Sequence, residues 1–185
     1  LKYNPKKIIG FEIQYKLYNL TICNLILRDL SIEKYEIINN DCFISQVKAT
    51  KSIINPPFSM NDKLELDFVL KQLYSLEENG LCISIFPVSK LSNDNKRNEI
   101  LKISKVKKII TCSSQLFHNS GIGSMCLILL LEKNKDGHLN DDLVEFYDYT
   151  DDGFSLHRNK GRIKNENFEN NFNKIINGLY DEKKI

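Results

Sequence analysis

The chain has 185 residues, 42% of them hydrophobic and 27% charged, with a formal net charge of +2. That length suits one domain with a small extension, and the composition is that of an ordinary globular protein. No global polycation is present to attract nucleic acid, so any basic surface must be local. The longest purely aliphatic run, residues 127–131, is far short of a membrane span and suits a buried strand. No signal peptide is legible.

Five cysteines (Cys23, Cys42, Cys82, Cys112, Cys126) show no C-x-x-C pairing, and only three histidines accompany them. A disulfide framework and a zinc site are therefore not expected. The cysteines read as reduced, buried, small hydrophobes of a cytoplasmic protein. The chain opens with Leu1, and its first eleven residues already run into a strand. It is expected to be part of a longer protein.

Strand-like and helix-like segments alternate along the first 132 residues. Residues 7–12 form a short strand with an acidic end. Residues 15–30 carry apolar side chains near helical spacing. Residues 35–39 are a second strand, followed by Asn40-Asp41, and residues 51–54 a third. Residues 62–78 read as an amphipathic helix with Leu66, Val69, Leu70, Leu73 and Leu76 on one face and Gly80 beyond its end. Residues 81–86 are apolar throughout, as in a strand buried on both faces, and Pro87 closes it. A short helix (95–104), a strand (106–112), a loop (113–124) and a strand (125–132) follow.

This alternation predicts an α/β protein with a mainly parallel sheet. The strand at 125–132 follows its predecessor without a helix, so it is expected to be antiparallel. After Lys133 the chain becomes polar and turn-rich, which places a domain at 1–133 and an extension at 134–185. Within the extension, residues 144–149 alternate like an exposed edge strand and residues 150–154 make a tight turn. Residues 157–164 are basic, and residues 168–180 suggest a weak helix. Lys160, Arg162 and Lys164 are open to two readings, contacts to DNA phosphates or a solvated tail.

In open α/β sheets, ligands bind beyond the carboxyl ends of the strands. Glu12, Asp41 and Asn55 stand at three such ends and are expected to line one cleft. An acid after the second strand of a dinucleotide-type fold accepts hydrogen bonds from ribose hydroxyls, a role that suits Glu12, or else Glu12 is a solvated acid. Asp41 suits an adenine amine, or else forms a simple Asn-Asp turn. Asn55-Pro56-Pro57-Phe58 is more specific. Two prolines fix φ and remove two backbone donors. The stiff corner that remains presents carbonyl acceptors, one amide and an aromatic ring. That set suits a planar base with an exocyclic amine. The alternative is an ordinary turn with Phe58 in the core.

Gly10-Phe11-Glu12, Asn40-Asp41 and Asn55-Pro56-Pro57-Phe58-Ser59 together resemble motifs II, III and IV of amino-group DNA methyltransferases. In order and spacing they are most similar to the modification subunits of type I restriction-modification systems. The segment Val144-Glu145-Phe146-Tyr147-Asp148, followed by Asp152-Gly153-Phe154-Ser155-Leu156, is similar to a downstream part of those subunits. The resemblance runs from residue 7 to about residue 164. It implies a Rossmann-like sheet and methyl transfer from S-adenosylmethionine to adenine N6 in DNA. It implies catalytic roles for Asn55, Pro56, Pro57 and Phe58, and cofactor contacts from Glu12, Asp41 and Cys42, with no metal. The implied partners are double-stranded DNA, a specificity subunit and a restriction subunit.

The family's glycine-rich first motif is absent, so the first strand, its loop and the next helix are expected to be missing. On that basis the isolated chain is expected to bind cofactor weakly. The same turn occurs in enzymes acting on guanine N2 in RNA or on protein glutamine. A non-catalytic assembly module is the remaining alternative.

Overall fold

The computed structural model describes residues 5–58, 64–118 and 123–166, together with Phe172 and Ile175. The chain divides into two compact units, Leu1–Val47 and Lys48–Ile185.

In the first unit, strand β1 (Ile8–Phe11) leads into helix α1 (Tyr15–Leu27) and then strand β2 (Tyr35–Ile38). β1 and β2 pair in parallel, with Phe11 opposite Ile38, and form a two-stranded sheet of their own. Tyr35 is buried, whereas α1 buries none of its residues and leaves Leu17, Leu20, Ile26 and Leu27 exposed. Cys23 lies on this helix and is exposed, which corrects its reading as a buried hydrophobe. The apolar spacing set the helix, but no described residue of the unit buries that side chain.

The second unit is built on a five-stranded sheet. Its strands are β3 (Ala49–Ile54), β4 (Leu76–Pro87), β5 (Ser104–Cys112), β6 (Cys126–Lys133) and β7 (Glu145–Tyr149). Their spatial order is β3-β4-β6-β5-β7. β3 and β4 run parallel, as do β5 and β7, while β6 is antiparallel to both β4 and β5. The sheet is thus parallel but for β6, as the helix-free connection to that strand requires. β7 occupies an edge.

Helices α2 (Glu65–Tyr74) and α3 (Asp94–Ile103) contribute Leu66, Val69, Leu73 and Ile100 to the main core, which also holds Cys82, Phe86 and Leu131 from the sheet. A smaller cluster gathers Ile110, Tyr147 and Ile175, with Tyr149 and Phe172 against it. The helix expected over 168–180 lies outside the described residues apart from Phe172 and Ile175.

The helix expected over 62–78 is shorter among the described residues. α2 stops at Tyr74, where the Ser75 hydroxyl donates to the carbonyl of Lys71 and ends the turn. Leu76, read as the last residue of the helix face, is instead buried in β4. Its apolar character is the same in either setting, so periodicity alone cannot separate the two. Gly80 is not a helix cap. It sits where the β3–β4 register shifts, after Asn79 at φ 63°. A Cβ there would lie 2.9 Å from the Glu77 carbonyl oxygen and 3.2 Å from that of Thr50. Only glycine admits so close a backbone approach.

After β7, two further strands, β8 (Phe154–His157) and β9 (Gly161–Lys164), form an antiparallel hairpin that sequence periodicity did not reveal.

Candidate functional site

Glu12 and Asp41 leave the same end of the β1–β2 sheet, because those strands run parallel. The Glu12 N–H donates to the carbonyl of Ile38 at 3.1 Å. The side-chain amide of Asn39 donates to the carbonyls of Glu12 and Ile13 at 2.7 and 3.2 Å, which ties the two strand ends together. Glu12 Oε1 accepts from the N–H of Gln14 at 2.7 Å, at the start of α1. Asp41 Oδ1 accepts from the N–H of Phe43 at 2.9 Å and caps the short turn Cys42–Ile44. The Asn40 side chain in turn accepts from the Asp41 N–H. Glu12, Asp41 and Cys42 are each half-buried. Sequence reading left each acid between a ligand role and a local one, and the structure shows local capping contacts at both, with Asp41 in the Asn-Asp turn.

Asn55 lies directly beyond the carboxyl end of β3, in the second unit. Its strand is held in register by β4, with Ile54 opposite Ser84. Pro56 is buried while Asn55 and Pro57 are exposed, so the corner is anchored at one residue and presents its neighbours. Phe58 is half-buried. It packs against the main core and meets Phe117 edge to face, with centroids 5.8 Å apart and an interplanar angle of 88°. The alternative reading of Phe58 as a core residue therefore holds in part, and the ring keeps an exposed portion. The cleft expected from Glu12, Asp41 and Asn55 unites residues of two units, and each unit stands here by itself.

The carboxyl edge of the five-stranded sheet also carries a pair that sequence reading missed. The Glu65 carboxylate, 1% exposed, lies 3.2 Å from Lys90 Nζ. Glu65 opens α2 and Lys90 follows the end of β4. In the sequence Glu65 resembles any acidic first-turn residue, and nothing in its spacing signals burial.

His118 is exposed at this edge, and its backbone N–H donates to the carbonyl of Gln115. Cys82 and Cys112 are buried within strands of this sheet. Burial pushes Cys82 and Cys112 up to about 11.

Arg162 departs from both sequence readings. Its guanidinium pairs with the Asp152 carboxylate, and the side chains are 11% and 3% exposed. It also lies 4.9 Å from the centroid of the Phe154 ring. Arg162 is thus neither a phosphate contact nor part of a solvated tail, because its charge is consumed by a buried acid. Lys160 and Lys164 are exposed. No group of three or more potential metal-ligating side chains occurs among the described residues. No helix among them is long and apolar enough to cross a membrane.

The N-6 DNA methylase family model matches residues 59–184, beginning one residue after Phe58. The chain is 27% identical over 174 residues to the type II restriction enzyme and methyltransferase RM.BcgI of Heyndrickxia coagulans, a match covering 85% of this chain and 26% of that protein. It is 26% identical over 200 residues to the type I restriction enzyme MpnII methylase subunit of Mycoplasma pneumoniae, covering 86% of this chain and 36% of the relative. The chain therefore spans about a quarter to about a third of these relatives. In fold it is similar to the M protein of the type I restriction enzyme EcoKI, with a TM-score of 0.63 at 18% identity, over 76% of this chain and 35% of that one. The architecture is that of S-adenosylmethionine-dependent methyltransferases. With more than half of its length matched, the chain belongs to the N-6 DNA methylase family.

Proposed function

We propose that this chain is the motif-bearing part of a methyltransferase that modifies adenine N6 in DNA within a restriction-modification system. The carrying observation is the corner Asn55-Pro56-Pro57-Phe58. It leaves a strand at its carboxyl end, with Pro56 buried and Asn55 exposed. Residues 1–133 belong to the catalytic domain in this reading. The extension from residue 134 adds β7 to its sheet and carries the β8–β9 hairpin.

S-adenosylmethionine, when bound, supplies an electrophilic methyl on a sulfonium. The acceptor chemistry of the first unit fits part of that molecule. Glu12 and Asp41 are acceptors at one end of one sheet, suited to ribose hydroxyls and a ring amine, with Cys42 beside them.

The target amine is conjugated and weakly nucleophilic. The Asn55 amide oxygen and the Pro56 carbonyl would hold its two hydrogens and orient its lone pair. The same acceptors stabilise positive charge as it develops on nitrogen. Phe58 would stack on a base drawn out of the duplex. The proton lost from nitrogen passes to solvent through these acceptors. Specificity and restriction subunits would supply sequence recognition and cleavage.

The test offers labelled S-adenosylmethionine with duplex DNA, RNA or protein, in parallel, to the protein that carries this chain, assembled with its specificity subunit. Label in N6-methyladenine after digestion supports the reading. Label only in guanine N2 of RNA or in protein glutamine overturns it.

A further inference from the structure

We propose that the β8–β9 hairpin is an arm that contacts the DNA backbone, with Arg158 and Lys160 at its tip seated on phosphates. The proposal rests on the reading that the protein acts on DNA.

The stretch from Phe154 to Asn165 holds Arg158, Lys160, Arg162, Lys164 and His157 and no acidic residue. In a chain of net charge +2 this is a marked local concentration. The cations divide into two groups. Arg162 is turned inward onto Asp152 and over the Phe154 ring. Arg158 and Lys160 are exposed. The inward cation builds the hairpin, and the two tip cations, Arg158 and Lys160, face solvent.

The hairpin is held as an arm rather than absorbed into the main sheet. β8 and β9 form a two-stranded sheet of their own. An isolated two-stranded hairpin is marginal in water, so this one needs a fixed base. The buried Asp152–Arg162 pair supplies it, together with the Asn165 N–H donating to the Gly153 carbonyl at 3.0 Å. Gly153 and Gly161 have φ of 78° and 67°, left-handed values that let the chain turn sharply at the base and beyond the tip. At the tip the Lys160 N–H donates to the His157 carbonyl. Four-residue strands extend roughly 13 Å, enough to carry the tip clear of its base.

The tip chemistry selects the ligand. Arg158, Asn159 and Lys160 offer a guanidinium, an amide and an ammonium side by side. The guanidinium matches a phosphate in bidentate geometry and the ammonium serves as a point charge. A two-stranded ribbon is also of a width that the major groove of B-DNA admits.

The test uses the protein that carries this chain, in complex with its specificity subunit, and a fluorescent duplex with its recognition site. Binding is followed by anisotropy from about 50 to about 300 mM salt. Replacing both tip cations (R158A with K160A) should flatten the slope of log affinity against log salt by about 2. The kcat for adenine methylation at saturating DNA should stay unchanged, and the charge-preserving pair R158K with K160R should restore the slope. An unchanged slope in R158A/K160A, with wild-type protein binding and methylating normally, overturns the arm. Loss of the specificity subunit from R158A/K160A also overturns it, since the tip would then serve a protein interface. Wild-type protein that neither binds the duplex nor methylates adenine removes the DNA reading itself, a result separable from the other two.

Discussion

Phe58 and Phe117 meet edge to face across the carboxyl edge of the five-stranded sheet, 5.8 Å between ring centroids. Phe58 belongs to the Pro-Pro corner after β3, and Phe117 to the loop after β5. The contact fixes the ring plane of the residue proposed to stack on the base. An aromatic pair of this geometry contributes about 0.5–1.5 kcal/mol beyond burial. Phe117→Ala is expected to raise KM for DNA several-fold with a smaller change in kcat. Phe58→Leu keeps apolar contact with the core but gives up roughly 1–3 kcal/mol of stacking. It is expected to weaken capture of the base while the melting temperature moves little. Steady-state kinetics on duplex DNA and a thermal melt check both variants.

Asn55 is exposed, so its replacement should leave folding nearly intact, within about 0.5 kcal/mol. In the reaction it acts as one oriented acceptor. Loss of a single such group costs on the order of 3 kcal/mol, or 10²-fold or more in rate. Asn55→Ala in the protein carrying this chain is expected to abolish methyl incorporation while cofactor binding persists. Near-normal turnover on adenine would reduce the corner to a structural turn.

Glu12 presents one oxygen to the Gln14 N–H and is half-buried. Glu12→Gln retains an oxygen for that cap but removes the charge. Hydrogen bonds to charged groups are worth about 1.5–3 kcal/mol. Calorimetry on the protein carrying this chain should show affinity for S-adenosylmethionine lower by tenfold or more. Unchanged affinity would leave Glu12 with its capping duty alone.

The Asp152–Arg162 pair should be costly to break from one side. Asp152→Ala leaves a guanidinium buried without its acid, a loss of about 3–5 kcal/mol for such pairs. Denaturant melts should show this drop. The double replacement Asp152→Ala with Arg162→Met should recover part of it, because the stranded charge is gone.

Burial holds Cys82 and Cys112 as neutral thiols to about pH 11, well above an ordinary cysteine. The folded state therefore keeps protons that the unfolded chain loses above its own thiol pKa. Stability from this source is fully present below about pH 8.5 and falls as pH rises toward 11. Iodoacetamide at about pH 8 should label exposed Cys23 rapidly and spare both buried thiols until the protein unfolds.

The parallel sheet with one reversed strand was legible in the sequence. Segment order and the missing helix before β6 impose it whatever the detailed packing. The corner at Asn55 was legible for the same kind of reason, since two prolines dictate local geometry by covalent constraint. Glu12 and Asp41 could be located as strand-end acids. Their caps on Gln14 and Phe43 needed coordinates.

Burial of charge and partnership between distant residues were decided only by the tertiary structure. Glu65 and Lys90 are 25 positions apart, and Asp152 and Arg162 span a hairpin that alternation alone did not announce. Whether a cation faces solvent or a buried acid depends on what the fold brings beside it. That is why Arg162 and Lys160, two residues apart and alike in sequence, ended in opposite roles. Leu76 moved from helix to strand by the same logic. An apolar residue demands burial, and the tertiary structure chooses the element that provides it.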